Sequence, residues 1–363
     1  MVATQLNQLF NFPIYAHAFN KDRSQVAISP NSNQVQIYEL TRSSNTVKLL
    51  HTLDAHDLLV TGIDWAPMSN KLVTCSQDKN AYVWEYDVES SKWKPKLVQL
   101  RIDRAATQVK WSPSETKFAV ASGSKIVSIC YFAEANDWWS SSHLKGFQST
   151  VLSIAWHPNN VLIATGSTDM KARVYSAFIK KLDSKPNPSV WGEKLPFGTL
   201  CGEYSNPSGG WIHSVAFSPS GDVLGFTGHD SSINIAYPSS STIHSVRTNQ
   251  LPFVSLLFLN ESQLLAVGHQ FSPSIFEGDE NGWNFIKSLD AGKEKKVSTV
   301  NSAFNKFRQM DSKGTNAESD TQLSTIHQNL INCVNPFDIE NQNVLSVSTS
   351  GLDGRLVVWD VNN

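Results

Sequence analysis

The residues whose types could do chemistry are histidines, hydroxyls and aspartates that return along the chain at fixed offsets. His56 stands in a loop, Thr74 and Ser76 follow in an apolar segment, and Asp78 lies six residues before Trp84. A histidine beside a carboxylate is a general acid–base pair, and an activated hydroxyl nucleophile needs a base and an orienter of this kind. The offset recurs, however: Asp169, Asp230 and Asp353 each stand six residues before the end of an apolar segment, at Tyr175, Ala236 and Trp359. Other chemistry finds no framework. The ten histidines are dispersed, with no HxH or HExxH spacing for a metal, and no glycine-rich loop is suited to phosphates. The four cysteines (Cys75, Cys130, Cys201 and Cys333) include no CxxC pair, so free thiols in a reducing compartment are expected. No catalytic residue, metal ligand or cofactor is assigned.

The elements that must position these residues are short. From Ala55 to Glu85 an alternating segment (Val60, Ile63, Trp65) turns at Ala66-Pro67, a second follows at Leu72 and Val73, and a third ends at Trp84. Three β-rich segments within about 30 residues bury little alone and require neighbours. The unit returns at Trp111-Ser-Pro113, Trp156-His-Pro158, Phe217-Ser-Pro219 and Val334-Asn-Pro336, with weaker forms at Phe19-Asn20 and Phe258-Leu259. The first copies lie about 45 residues apart, the length of one four-stranded propeller blade.

This pattern resembles the WD-repeat propellers. The resemblance implies that the turn Asp accepts hydrogen bonds from the loop His, that a strand Ser or Thr relays them, and that the strand Trp closes the network. The full set is expected only in the second copy, as His56, Ser76 (or Thr74), Asp78 and Trp84. These residues, with Asp169, Asp230, Asp353 and Trp359, are therefore read as structural. A member left unpaired would cost about 1–3 kcal/mol. The fold expected is all-β, a single seven-bladed β-propeller over residues 1–363.

The chain has 363 residues, 40% of them hydrophobic, with a net charge of −2, as expected of a globular protein and not of a nucleic-acid binder. No apolar run approaches about 18 residues, so no membrane insertion is expected. The N-terminus lacks the charged-then-apolar plan of a signal peptide, which points to a cytosolic, or cytosolic and nuclear, protein.

The last copy holds three strands and ends at Trp359-Asp360-Val361, so a short N-terminal segment, Leu6 to Phe12, is expected to supply the missing outer strand and close the ring. Between copies four and five, residues 181–210 are rich in Pro and Gly yet carry Trp191 and Phe197, which predicts an ordered strap across a blade edge or a partner surface. Copy three brings basic residues together and ends in a Trp pair. Arg101, Arg104, Trp138 and Trp139 form a candidate patch for an acidic protein partner. Between blades six and seven an insert over 290–325 is polar except for one amphipathic run. A helix over about 297–310 would place Val300, Phe304 and Phe307 on one face, with Arg308 at its margin, as anchors for a partner's groove.

Specific strings narrow the resemblance. Asn20-Lys-Asp-Arg23, Gly62-Ile-Asp-Trp-Ala-Pro67, Asn80-Ala-Tyr-Val-Trp84, Arg104-Ala-Ala106, Lys117-Phe-Ala-Val120, Ser128-Ile-Cys-Tyr-Phe132, Asn136-Asp-Trp-Trp139, Ser149-Thr-Val-Leu-Ser153, Trp156-His-Pro-Asn-Asn160 and Trp191-Gly192 are similar to the WD-repeat propeller subunits of the actin-related protein 2/3 complex. The resemblance covers essentially the whole chain and implies a non-enzymatic subunit of an assembly that nucleates branched actin filaments. It further implies other subunits of that complex, actin filaments and acidic nucleation-promoting factors as partners, and a cytoplasmic location in the actin cytoskeleton, in cortical patches or branched networks. Carried onto this chain, the actin-contacting residues are Val300, Phe304, Phe307 and Arg308, and the subunit or activator interface includes Arg101, Arg104, Trp138 and Trp139. The repeat pattern also fits a peptide-reading WD-repeat adaptor working through its central face, whereas a propeller enzyme would need convergent residues that the sequence does not offer.

Overall fold

In the computed structural model, residues 4–41, 46–290 and 323–361 are described. They form seven antiparallel sheets of four strands each. Six blades run in chain order, from residues 16–54, 60–99, 106–144, 151–205, 212–247 and 253–288. Blade seven takes its inner three strands from Ile331–Glu340, Asn343–Gly351 and Arg355–Asp360, and its outer strand from Thr4–Leu9 at the other end of the chain.

That N-terminal strand pairs antiparallel with the third strand of blade seven, Leu6 opposite Val358. Leu6 and Phe10 are buried against Leu356 and Val358 of blade seven and Phe19 and Tyr38 of blade one. The Phe10 N–H donates to Gly354 O at 2.8 Å and the Ile14 N–H to Gly351 O at 3.1 Å. The ring is thus closed by hydrogen bonds as well as apolar contact, and the third strand of blade seven keeps no unpaired edge.

The core lies between blades. Each of seven buried clusters straddles one blade junction: Val73, Val83, Trp111 and Phe118 fill the space between blades two and three, and Trp191, Leu195, Phe217 and Phe226 that between four and five. A second strand such as Leu72–Ser76 is buried along its whole length, because both of its faces meet side chains. A blade alone would therefore expose most of its apolar surface.

Adjacent inner strands are stitched by side chains. The Asp64 carboxylate accepts the Trp111 N–H at 2.7 Å, Gln108 Oε1 the Ile154 N–H at 2.6 Å, and Ser153 Oγ the Val215 N–H at 3.3 Å. Ser214 and Ser255 repeat the device toward Leu256 and Val334, and the Asn335 amide donates to His17 O at 2.8 Å across the closure. Each bond satisfies a backbone group that faces the channel rather than a neighbouring strand.

The stretch 181–210 is not all strap. Its last third holds Leu200–Ser205, the outer strand of blade four. The preceding residues cross onto blade five, where Trp191 is buried and its indole N–H donates to Gly221 O at 2.8 Å. The insert's roots are also part of the propeller. Asp290 is buried, and its carboxylate accepts the Ile326 N–H. The amphipathic run over 297–310, with Val300, Phe304, Phe307 and Arg308, lies outside the described residues.

Candidate functional site

His56, Thr74, Asp78 and Trp84 meet in blade two. The Trp84 indole N–H donates to Thr74 Oγ1 at 3.0 Å, and Thr74 Oγ1 lies 2.8 Å from His56 Nε2. The indole only donates, so the threonine hydroxyl accepts from it and passes its own proton toward Nε2. The imidazole then carries its proton on Nδ1, 2.7 Å from Asp78 Oδ2. Asp78 also accepts the N–H groups of Asp57 at 3.0 Å and Asn80 at 2.9 Å. The relay is Thr74, not Ser76, which bonds the Leu58 carbonyl at 2.8 Å at the strand's end. Burial pushes the His56 imidazole below its usual pKa against the opposing pull of Asp78, and only 3% of His56 is exposed.

A second complete network, missed in the sequence, occupies blade seven. Trp359 donates to Thr349 Oγ1 at 2.7 Å, Thr349 Oγ1 lies 2.9 Å from His327 Nε2, and His327 Nδ1 lies 3.1 Å from Asp353 Oδ2. Burial alone would raise the Asp353 carboxyl, but the bond and charge of His327 and the N–H groups of Gln328 and Arg355 hold it low. His327 precedes its aspartate by 26 residues where His56 precedes its own by 22, so a fixed His-to-Asp spacing passes it over. The constant signal is the threonine, ten residues before the tryptophan in both blades.

Blades four and five solve the same problem with other chemistry. Asp169 is held by Arg173, whose Nη1 donates to both carboxylate oxygens at 2.9 and 3.1 Å, and Phe147 packs under the guanidinium at 5.6 Å. Asp230 accepts from the Asn206 amide at 2.9 Å and the Ser232 hydroxyl at 2.6 Å. In every case the aspartate ties an inter-blade loop to the turn between the second and third strands, Asp169 doing so by accepting the Gln148 N–H at 2.9 Å. His56 and His327 are buried and bonded through both ring nitrogens, so neither offers a free ring nitrogen at the surface.

The central channel, about 480 Å³, is lined by the inner strands. Its one internal ion pair among the described residues joins Lys110 Nζ to Asp64 Oδ1 at 3.2 Å, with Asn335 Oδ1 at 3.3 Å. Since Asp64 also accepts the Trp111 N–H, its carboxylate is occupied on both oxygens. Among the described residues no three His, Cys, Asp or Glu side chains are grouped to hold a metal, and no helix is long and apolar enough to cross a membrane.

The candidate patch is divided by the fold. Arg101, Trp138 and Trp139 line one groove of about 190 Å³ between the outer strands of blades two and three, with Leu97 and Gln99 opposite Ser140 and Ser141. Trp138 is 59% exposed. Trp139 turns inward instead, with its ring 5.1 Å from Phe118, 5.7 Å from Phe132 and 5.9 Å from Trp111. Arg104 does not line the groove. Its backbone N–H is fixed at 2.8 Å from Ser124 Oγ, in the turn between the second and third strands of blade three.

Comparison with known proteins agrees with this architecture. The WD domain, G-beta repeat pattern matches residues 47–85, 138–176 and 198–235. Each match begins in, or two residues before, the outer strand of one blade and ends in the third strand of the next, the same stagger by which the N-terminal strand completes blade seven. The chain is 45% identical to actin-related protein 2/3 complex subunit 1 of Schizosaccharomyces pombe, over 99% of this chain and 100% of the relative. It is 46% identical to subunit 1A-B of that complex from Xenopus laevis, over 98% of this chain and 96% of the relative. Subunit 1A from Arabidopsis thaliana is 41% identical over 96% and 94%.

Proposed function

The chain belongs to the family of actin-related protein 2/3 complex subunit 1 and is a subunit of that complex, and from this premise we propose that it serves there as a non-catalytic scaffold that also contacts actin. The observation that carries the reading is identity of 36–46% over nearly the whole chain to curated members from fungi and an animal. The closed ring is suited to such a role, because seven inter-blade cores and side-chain stitches hold its surfaces in fixed relation. The peptide-adaptor reading has no such support.

On this proposal, Val300, Phe304, Phe307 and Arg308 of the insert contact actin filaments and support nucleation of branches. The groove between blades two and three receives an acidic nucleation-promoting factor, with Arg101 supplying charge and Trp138 an exposed ring. Trp139 packs inward on Phe118 and Trp111 and so holds the strand that carries Trp138, and Arg104 contributes only to the field around the site. The working location is the cytoplasmic actin cytoskeleton. The reading is tested by measuring branch formation by the complex carrying Phe304→Ala and Phe307→Ala, and separately Arg101→Glu and Trp138→Ala. The expected result is intact assembly with weakened branching for the first pair and weakened activator binding for the second.

A further inference from the structure

The strap between the third and outer strands of blade four carries charge that neither the ring nor the groove explains. Its two ends are anchored. Lys117, buried in blade three, pairs with Asp183 and donates to Ala177 O at 2.9 Å, and Asp183 also accepts from the Asn160 amide at 2.9 Å and the Ile179 N–H at 2.7 Å. Farther on, Trp191 and Leu195 are buried against blade five, and the Ser176 hydroxyl donates to Leu195 O at 2.7 Å. Between and beside these anchors Lys180, Lys181, Lys185 and Lys194 are all exposed.

None of these four lysines has a carboxylate within ion-pair reach among the described residues, whereas Lys71, Lys94, Lys96, Lys110, Lys117 and Lys171 all do. Asp183 is spent on Lys117, which leaves Glu193 as the strap's one exposed acid. A chain of net charge −2 therefore presents a cationic ridge along this strap, from its anchor on blade three to its anchor on blade five.

We propose that this ridge docks an acidic polypeptide segment, through the four lysine ammonium groups and the exposed Val190 and Leu200, which are 41% and 48% accessible. Carboxylates are favoured over phosphates by the side chains present. The strap contains no arginine, whose planar fork would grip phosphate on two oxygens, and no exposed aromatic ring on which a base could stack. Mobile ammonium groups beside exposed aliphatic side chains suit dispersed carboxylates on a peptide with apolar neighbours. The anchoring fixes the strap's backbone in advance, so docking orders little besides the lysine side chains. The surface is separate from the groove of blades two and three, and the proposal does not rest on that groove.

The test uses the assembled complex and a labelled Glu- and Asp-rich peptide, coupled with a carbodiimide that joins carboxylates to lysine amines in contact. Arginine does not react, so a peptide held in the Arg101 groove couples only through neighbouring lysines such as Lys96 and is told apart by the site of attachment. The expected result is peptide attached at Lys180, Lys181, Lys185 or Lys194, with coupling lost at about threefold higher salt. The variant K180E/K181E/K185E/K194E should melt as the wild type does and couple about tenfold less peptide, while R101E leaves the strap coupling unchanged. Attachment confined to other lysines, or equal coupling in the charge-reversed variant, would overturn the proposal. So would retention through the four lysines of phosphoinositide-doped vesicles with no peptide coupling, which would assign the ridge to a membrane.

Discussion

His17 Nδ1 lies 2.8 Å from Ser350 Oγ, a contact that joins positions 333 residues apart and spans the junction where the ring closes. The other ring nitrogen, Nε2, lies 2.8 Å from Ser348 Oγ, so one imidazole bridges two hydroxyls of blade seven from the inner strand of blade one. The ring is fully buried, and burial, with Lys110 and His327 nearby, lowers its pKa to about 3. A folded pKa below the unfolded value of 6.5 means that the unfolded chain binds the extra proton. Stability from this site is complete above pH 6.5 and is lost as the pH falls from there toward 3. Between pH 6.5 and 5 the loss amounts to about 2 kcal/mol. Denaturant melts at the two pH values should show His17→Gln less stable at neutral pH but with a shallower acid slope than the wild type. Equal slopes would remove His17 from the account.

The latch makes a sharper demand on one glycine. A Cβ on Gly354, at φ 75, would sit 2.5 Å from Phe10 O and 2.7 Å from Phe12 O, the carbonyls of the N-terminal strand's exit. The equivalent turns of blades one to six carry Asn31, Lys79, Lys125, Met170, Ser231 and Phe271 at positive φ, so the fold tolerates a side chain wherever no latch crosses. Gly354→Ala should cost about 2 kcal/mol or more. Gly198→Ala, also at positive φ but with nothing within 4 Å, should cost about 1 kcal/mol. Removing the first 12 residues should destabilise the whole ring. A truncated chain that melts with the intact one would show that the latch is dispensable.

The relay threonine gives a paired test. Thr74→Val keeps the volume but leaves the Trp84 N–H and the His56 Nε2 without partners, an expected loss of about 2–4 kcal/mol. Ser76→Ala gives up its bonds to Leu58 O and the Asp78 N–H at the strand's margin and should cost about 1 kcal/mol. Thermal melts that rank these two the other way would contradict the assignment.

The same pair marks how far the sequence could be read. Thr74 and Ser76 are two apart and share a face of the strand, so periodicity alone could not choose between them. The choice is made by register, which puts Leu72 opposite Trp84 and Thr74 opposite Tyr82, within reach of the indole. Propeller class, copy number and the N-terminal closure were legible because they rest on repeats and on counting strands. His327 was not, because the long, bulged first hairpin of blade seven stretches its distance to Asp353. Nor did proximity in sequence reveal that Arg104 parts from Arg101. The backbone turns at Arg101, with φ 55, and Ser124 Oγ then holds the Asp103 and Arg104 N–H groups of the same loop away from the groove's lining.

For the groove, Trp138→Ala should leave the melt unchanged within about 0.5 kcal/mol, since the ring is largely exposed, while Trp139→Ala should cost about 3 kcal/mol by opening the space beside Trp111 and Phe118. Binding of an acidic activator, measured by anisotropy, should weaken in Trp138→Ala at any ionic strength, and in Arg101→Glu more at low salt than at high salt. Unchanged affinity in both would move the activator site elsewhere.

The insert calls for a functional readout. Replacing Phe304 and Phe307 by Ala should leave the chain folded and incorporated, and should lower the number of branches per filament length in microscopy. Loss of folding would mean that these side chains belong to the propeller's own packing.

Membership of the complex is the claim on which the rest depends, and it is measured most directly by weighing the particle that a tagged copy of the full chain draws from its own cells at low salt, with every component identified. The account predicts a stable multi-chain particle that contains actin-related proteins and one copy of this chain. Recovery of the chain alone, or bound to a modifying enzyme with no actin-related protein present, would contradict it.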